Sequence, residues 1–411
     1  MLDEQRNRFN NPRSKRMNFR VLFLLPLAFF AFFGCNQAKP LNVDMSHGSG
    51  FLLSLILGNL ATNSGGGCAV PRLSTGENAT IVLGQSDFVS SGFGAGTSQL
   101  HYPQGMTHDS KGGLWVSDTQ NQRVIHYPST IASGGSADIV LGGTSGTGLN
   151  QFNNPQAVAV DSAGGIWVAD YLNHRILHFP SGVATGGSAD IVIGSSGVSG
   201  VSTTLLNSPR GVAVEASGGL WVVDTGNNRL LHFSTPLTNG KAADLVLGQT
   251  SFTSGGTTSA TASTLANPNA VTVDSNGGIW VSDASYHRVL HFTSPFANDM
   301  SSDIVLGQST FGSSTPSTSQ SGLWTPTGLA TDANGGLWVA DYGNRRAIHF
   351  SPPFTNGKNG DTVLGELNYT SNNSGNTVSA ALLGGPNALT VSPCGQLWVA
   401  DYSDHRVLYY P

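Results

Sequence analysis

The most constraining feature of this sequence is a Trp followed three residues later by an Asp, a pair that occurs six times. Successive copies begin 52 to 60 residues apart, at Trp115, Trp167, Trp221, Trp280, Trp338 and Trp398. Periods of this length are typical of repeat architectures, in which each repeat is one structural unit. Most of the chain is therefore predicted to consist of six similar units.

Each repeat contains four short apolar segments that are typical of β-strands. In the second repeat these segments are AVAV (157–160), GIWVAD (165–170), RILHF (175–179) and DIVIG (190–194). They are rich in β-branched and aromatic residues and are bounded by Gly, Ser, Asn or Pro. Four short antiparallel strands per repeat predict one blade of a β-propeller.

The two ends of the repeat region predict how the ring closes. The segment IVLGQ and its variants end each blade, but one copy, at residues 80–85, precedes the first Trp, and the last blade stops at Pro411 after three strands. Moving this copy into the last blade completes it and removes an exposed strand edge. The predicted fold is all-β: a six-bladed β-propeller of four-stranded antiparallel blades, the last closed by the N-terminal strand 80–85.

With these residues in view, the chain resembles the NHL-repeat family. The segment PQAVAVDSAGGIWVADYLNHRI (155–176) follows the consensus of that family nearly position by position. The resemblance implies the propeller fold but does not select a function. Such propellers include protein-binding and RNA-binding modules as well as relatives with lyase or hydrolase activity, so function has to be argued from a site.

The N-terminal region predicts export. Residues 21–33 form an apolar run that is too short to span a bilayer, with basic residues before it and Gly34-Cys35 after it. This order predicts a signal peptide over residues 1–34, with Met17 as an alternative start. Gly34-Cys35 resembles a bacterial lipobox, which implies lipidation of Cys35 and a lipoprotein anchored in the bacterial envelope, periplasmic or surface-exposed. The alternative is an ordinary signal peptide with an incidental cysteine.

The remaining chain divides into a tether and the propeller. Residues 35–77 are predicted to be a tether whose apolar segment 51–61 packs on the domain or enters the lipid surface, and residues 78–411 a monomeric propeller. The formal net charge is −5 and no basic stretch follows the N-terminus, which argues against a nucleic-acid partner. Cys68 and Cys394 are expected at the same end of the last blade. We predict a disulfide between them, which an exported context permits.

The stretch GGIWVADYLNHRILHF (164–179) has the residue types of an active site, but its Asp and Arg recur in every repeat. A catalytic group has to occur once or converge on one point. We therefore interpret these residues as structural pairs joined by a charge-assisted hydrogen bond. The pairs are Asp118/Arg123, Asp170/Arg175, Asp224/Arg229, Asp283/Arg288, Asp341/Arg346 and Asp401/Arg406.

A histidine also recurs on the third strand of each blade except the sixth, which has Tyr409. These residues are interpreted as packed side chains, and neither a metal site nor a cofactor is expected, because equivalent positions in different blades cannot meet at one ion. The five residues are His126, His178, His232, His291 and His349.

Positions at which the repeats differ are the better candidates for ligand binding. The residue after each first-strand Pro is expected at the mouth of the axial channel, in a ligand-binding ring or a solvated rim: Gln104, Gln156, Arg210, Asn269, Thr327 and Asn387. Tyr102 and Trp324 lie just before these prolines and are candidate ligand contacts, or Trp324 covers the channel end. His108 stands where other blades have Val or Thr, and is either a hydrogen-bonded polar residue or a base.

These observations favour a binding module that recognises a protein, peptide or glycan. The variable Ser/Thr/Gly-rich loops share one face with the Asp-x-x-Asn-x-Arg turns, and loops on a rigid scaffold are the usual place for recognition. The alternatives are a propeller lyase or lactonase-type enzyme with a metal in the axial channel, and a structural spacer.

Overall fold

The computed structural model describes residues 73–256, 259–372 and 377–411. These residues form six four-stranded antiparallel sheets, which confirms the predicted all-β six-bladed propeller. The predicted signal peptide (1–34), the lipidation site Cys35, and the tether through residue 72 lie outside the described residues. Among the described residues, no helix has the length and apolar character needed to cross a membrane.

The strands follow one another in the same order in every blade. The first strands are β2 (Pro103–His108), β6 (Pro155–Val160), β10 (Gly211–Val214), β14 (Pro268–Val273), β18 (Pro326–Thr331) and β22 (Pro386–Val391). The second strands are β3 (Leu114–Asp118), β7 (Ile166–Asp170), β11 (Leu220–Asp224), β15 (Ile279–Asp283), β19 (Leu337–Asp341) and β23 (Leu397–Asp401). The third strands are β4 (Arg123–Tyr127), β8 (Arg175–Phe179), β12 (Arg229–Phe233), β16 (Arg288–Phe292), β20 (Arg346–Phe350) and β24 (Arg406–Tyr410). The fourth strands are β5 (Ile139–Gly142), β9 (Ile191–Gly194), β13 (Leu245–Leu247), β17 (Ile304–Leu306) and β21 (Thr362–Leu364), with β1 (Ile81–Leu83) serving the sixth blade.

The N-terminal strand closes the ring as predicted, in a slightly shorter span than residues 80–85. β1 pairs with β24 in register Ile81↔Tyr409, Val82↔Leu408 and Leu83↔Val407. Val82 and Leu83 are fully buried. Because the edge of β24 is covered in this way, the described blades leave no gap at the joint between the first and sixth blades.

The segment before β1 also belongs to the ring. The Val363 N–H donates to Thr75 Oγ1 at 3.3 Å, and the Gly76 N–H donates to the Val363 carbonyl at 2.9 Å. Equivalent contacts occur at the next joint, where the Val82 N–H donates to Ser133 Oγ and the Gly134 N–H donates to the Val82 carbonyl. The propeller domain therefore extends N-terminal to the predicted boundary at residue 78.

The core lies between neighbouring blades, where the repeated Trp side chains pack. Trp221, for example, contacts the Phe296 ring at a centroid distance of 4.9 Å, and Phe296 belongs to the following blade. Both faces of each sheet are thus covered by the adjacent sheets, so the second strands are buried throughout and mostly apolar. One large apolar side chain per blade fills the space that opens between twisted sheets.

The first strands lie innermost and contact one another around the axis. In five blades the strand begins at a Pro paired with the Asp that ends the second strand, and the register then shifts by a β-bulge. A bulge changes the direction of the side chains that follow it. The bulge, together with the alternation along the strand, therefore sets the direction of the side chains that follow each Pro.

Cys394 lies in the first turn of the sixth blade and is disulfide-bonded. Cys68 and Cys35 are outside the described residues, so the Cys68–Cys394 pairing stays a prediction.

Candidate functional site

The repeated Asp/Arg pairs are internally satisfied. In the second blade, Arg175 Nε donates to Asp170 Oδ2 at 2.8 Å, and the Asn153 N–H donates to Asp170 Oδ1 at 2.7 Å. The Arg175 guanidinium also donates to the carbonyls of Thr147 and Gly148. Both charged side chains are fully buried. All six pairs have this geometry, with Nε–Oδ2 distances of 2.6–2.9 Å, so their polar atoms are occupied in holding the loops.

The turn that follows each Asp contains a third polar residue, which is Asn in four blades, Tyr286 in the fourth and Asp404 in the sixth. Asn173 Nδ2 donates to Asp170 Oδ2 at 2.8 Å, and equivalent Asn residues do so in blades one, three and five. In blade six the position is Asp404. Burial raises the pKa of Asp404 to about 7, the charge of Asp401 adds to this, and Arg406 and Arg345 oppose it.

Replacing Asp404 with Asn should remove this pH dependence. The folded-state pKa of Asp404 lies above that of the unfolded chain, so the ionised side chain destabilises the fold and stability falls as pH rises from about 4 to 7. We expect D404N and wild type to melt at similar temperatures near pH 4, and D404N to melt several degrees higher at pH 8. The reciprocal change N344D should introduce the same dependence into blade five. Parallel melting curves for wild type and both variants would contradict this assignment.

The repeated histidines form bridges between two carboxylates, a role that differs from the simple packing predicted from the sequence. His178 Nδ1 lies 2.6 Å from Asp190 Oδ1, and His178 Nε2 lies 3.0 Å from Asp161 Oδ2. Corresponding bridges join His126, His232, His291 and His349 to acidic residues. Burial would lower the pKa of His349, but its hydrogen bonds to Asp332 and Asp361 raise it overall.

The sixth blade shows which signal could have revealed these bridges. It carries Tyr409 in place of the His, Ser392 in place of the Asp that follows the first strand, and Thr80 in place of the Asp that precedes the fourth. All three polar positions change together, whereas they are acidic or His in the other five blades. Comparison of positions across the internal repeats would therefore have grouped them.

A second histidine of the stretch 164–179, His174, joins one blade to the next. Its Nδ1 accepts a hydrogen bond from the Ser208 N–H at 3.0 Å. Gln122, Asn228, His287 and His405 accept the equivalent N–H in other blades. In blade five the residue is Arg345, which carries no acceptor, and the Gly385 N–H donates to Asp401 instead.

The axis of the ring contains a narrow cavity of about 80 Å³, lined by the first strands. Five of the six predicted ring residues line it, and we call them the collar: Gln104, Gln156, Arg210, Asn269 and Asn387. Below them lies a set of apolar side chains that we call the floor: Met106, Val158, Val212, Val271, Leu329 and Leu389. Floor residues are 4–7% exposed, whereas the second-strand residues Val116 and Val168 are fully buried. The floor residues therefore line the cavity and also pack into the apolar clusters between neighbouring blades.

Arg210 is the charged member of the collar and lacks a polar partner. Its guanidinium lies over the Tyr171 ring at 5.3 Å, and its Nε is buried without a hydrogen bond. No carboxylate of the described residues lies within 4.0 Å of it. Burial raises the pKa of Tyr402, and the positive charge of Arg210 acts against this. Arg210 is thus close to the tyrosines of the channel mouth.

The amides of Gln104, Asn269 and Asn387 make no side-chain hydrogen bond with any other described residue. Gln156 differs, because its Nε2 donates to Asn154 Oδ1 and the side chain is buried. Four of the collar side chains, Arg210 included, therefore offer polar atoms to the cavity.

Two residues that were predicted to line the channel, Thr327 and His108, do not line the axial cavity. Thr327 is buried, and its hydroxyl contacts the carbonyls of Ala340 and Pro386 at 3.3 and 3.2 Å, so it does not line the cavity. His108 lies at the far end of β2, where its Nδ1 is 3.2 Å from Thr390 Oγ1. Burial lowers the pKa of His108 to about 4, against the charge of Asp109. Its environment matches that of a neutral, hydrogen-bonded residue.

Tyr102 belongs to an aromatic cluster at the joint between the first and sixth blades. Its ring stacks on Tyr402 at 4.4 Å and meets the His405 ring at 4.4 Å. His101 continues the stack to Phe93, which is 62% exposed. Trp324 is 42% exposed, and no ring contact among the described residues links it to this cluster. Phe93, Tyr402 and His405 are not predictable as partners from local sequence, because only ring closure brings them together.

Comparison with known proteins agrees with this architecture. The family model described as NHL repeat matches residues 152–179, 206–233 and 265–292. The mouse (Mus musculus) protein named NHL repeat-containing protein 3 is 32% identical over 127 residues, and its human counterpart is 29% identical over 127 residues. Each alignment covers 29% of this chain and 35% of the relative. The chain thus spans about a third of the length of these curated relatives.

A solved structure extends the likeness to the whole ring. A structural genomics protein of unknown function from Bacteroides thetaiotaomicron VPI-5482 superposes with a TM-score of 0.54 at 15% identity. The superposition covers 81% of this chain and 76% of that protein. At this identity the likeness concerns the fold alone. The described residues thus form a six-bladed β-propeller, and three of its repeats match the NHL-repeat model.

Proposed function

We propose that this protein is a binding module that recognises a protein, peptide or glycan at the collar, on the loop-rich face of the propeller. The observation that carries the proposal is the set of collar side chains without intramolecular partners, with Arg210 Nε buried and unpaired among them. A buried polar group without a hydrogen bond costs free energy, and a ligand that pairs with it recovers that cost.

The repeated motif residues support the same conclusion by contrast. The Asp/Arg pairs, His174 Nδ1 and four of the five His–carboxylate bridges are hydrogen-bonded within the protein. In blade three, His232 Nδ1 is bonded to Asp244, whereas Nε2 lies 3.5 Å from Glu215 and has no hydrogen bond. These contacts maintain the scaffold. The collar lies where the repeats differ, and it combines amides, one guanidinium and nearby tyrosines, a composition that suits specific contacts at the centre of an interface.

The proposal includes a location in the cell envelope. The predicted signal peptide and the lipobox-like Gly34-Cys35 support export and anchoring through a lipid on Cys35. A propeller held in this way would present its loop-rich face to ligands outside the cytoplasm.

The proposal can be tested with the full chain, purified in a non-ionic detergent, on arrays of envelope proteins, peptides and glycans. We expect R210Q and N387A to weaken any detected binding at least tenfold, which corresponds to about 1.4 kcal/mol. K111Q is the control, because Lys111 is exposed in a turn at the opposite end of the first strand. Unchanged binding by both collar variants would overturn the site, and so would an equal loss in K111Q.

A further inference from the structure

We infer that the axial cavity binds the C-terminal carboxylate of a peptide whose last side chain is small and apolar. This inference rests on the proposed function and specifies the ligand of the same collar. Three features of the cavity carry it: one unpaired guanidinium, a group of free amides, and an apolar floor directly beneath them.

The guanidinium of Arg210 selects for a single negative charge. Its Nε is buried and without a hydrogen bond, and its other described contact is with the face of Tyr171. A guanidinium presents parallel N–H donors that match the two oxygens of a carboxylate. Arg210 is the only charged residue lining the described cavity, so its one positive charge balances one carboxylate. A phosphate monoester carries about −1.5 to −2 charges near neutral pH and would be incompletely balanced.

The free amides of the collar match the end of a peptide main chain. Gln104, Asn269 and Asn387 each offer two N–H donors and one carbonyl acceptor. The last peptide unit beside a terminal carboxylate offers an N–H and a C=O in fixed positions. When the carboxylate is bound to Arg210, the N–H and C=O of the last peptide unit lie within the ring of collar side chains. The amides can therefore pair with them.

The floor determines which last residue fits. All six floor side chains are apolar, and they form the part of the cavity below the collar. A sugar ring in this position would place hydroxyl groups against carbon, where they find no partner. The cavity volume of about 80 Å³ holds roughly three water-sized groups. A cavity of this size favours a small last side chain, such as that of Ala, over an aromatic ring.

The close packing of the inner strands keeps the cavity narrow. A Cβ added at Gly105 would lie 2.4 Å from the Gln156 carbonyl oxygen and 2.5 Å from the Ala157 Cα. Adjacent first strands therefore approach through backbone at this level. Because these strands touch through backbone at Gly105, their spacing there is fixed, and the floor side chains set the size limit on the last residue.

The test uses fluorescence anisotropy with the full chain and pools of labelled octapeptides that are random at the first seven positions. One pool ends in Ala with a free carboxylate, a second ends in Ala with a C-terminal amide, and a third ends in Trp with a free carboxylate. We expect the Ala acid pool to bind at least tenfold more tightly than either of the others. Acetate should compete with the Ala acid pool at lower concentration than inorganic phosphate.

Two variants separate the role of the charge from that of the floor. R210Q should lose the preference for acid over amide, whereas K111Q should keep it. V271A enlarges the floor and should shift the preference from Ala towards Leu as the last residue. Circular dichroism melting of each variant checks that the ring remains folded.

Failure of the inference is distinguishable from failure of the proposed function. Equal binding of acid and amide pools, stronger competition by phosphate, or no binding of any pool would overturn the carboxylate inference. If the arrays still detect a ligand whose binding R210Q abolishes, the proposed function stands without it. If R210Q keeps both the array binding and the preference for acid over amide, the proposed function and the carboxylate inference are both overturned.

Discussion

Replacing Arg175 with Met is expected to destabilise the propeller by about 3–5 kcal/mol, the cost of leaving one member of a buried ion pair without its partner. Asp170 would stay in a fully buried site and lose its closest cation, 2.8 Å away, one of the groups that oppose the rise in its pKa caused by burial. The carbonyls of Thr147, Gly148 and Gln151 would lose their donor as well. The loop between the first and second blades depends on those three hydrogen bonds.

The measurement is the free energy of unfolding from urea denaturation of wild type, R175M and the double variant D170N/R175M. The double variant should recover part of the loss, because the buried carboxylate is neutralised. Ligand binding at the collar should persist in R175M wherever the protein remains folded. A change below about 1 kcal/mol in R175M, the range of exposed ion pairs, would contradict a structural role for the Asp/Arg pair.

Deleting residues 73–85 from the full chain is expected to abolish the cooperative folding of the ring. The deletion removes β1, whose Val82 and Leu83 are fully buried, and each such side chain contributes about 1.5–3 kcal/mol. It also removes Thr75 and Gly76, which join the sixth blade to the fifth. The edge of β24 would then be exposed along Val407–Tyr409, the residues that β1 covers, and exposed edges promote association.

Light scattering after size exclusion, together with denaturant unfolding, tests this expectation. We expect the deleted chain to aggregate or to unfold over a broad range, and a synthetic peptide of residues 73–85 to restore a monomer. Deleting residues 37–49, in the predicted tether, is the length-matched control and should leave the ring folded. A monomeric deleted chain with a sharp transition would show that five blades and a three-stranded sheet suffice.

Recurrence in every repeat revealed the structural role of some polar residues but not the partners of others. Asp170 and Arg175 occur in every repeat, so a structural interpretation was available from the sequence, and the six short Nε–Oδ2 distances agree with it. The bridge of His178 to Asp161 and Asp190 also repeats, but Asp161 lies 17 residues before His178 and Asp190 lies 12 residues after it. Spacing alone did not indicate that pairing.

The position of the collar was predicted from the sequence, but one of the six residues predicted to form it lies outside it. Thr327 occupies the same place in its repeat as Arg210 and Asn387, yet its short hydroxyl side chain bonds to two carbonyls and leaves the cavity. The longer amide and guanidinium side chains extend into the channel instead. A β-bulge at the start of five inner strands adds a change of direction that strand alternation does not predict.

The sequence by itself determined the six blades, their four strands and the closure by the N-terminal strand, because these depend on a local pattern repeated at a fixed period. Only the tertiary structure decided which polar side chains are engaged within the ring and which remain available at its axis. The aromatic cluster at the joint shows why. The Tyr102 ring stacks on the Tyr402 ring at 4.4 Å although the two residues belong to the first and the last blade. A contact of that kind exists only after six blades have closed, so no local pattern can specify it.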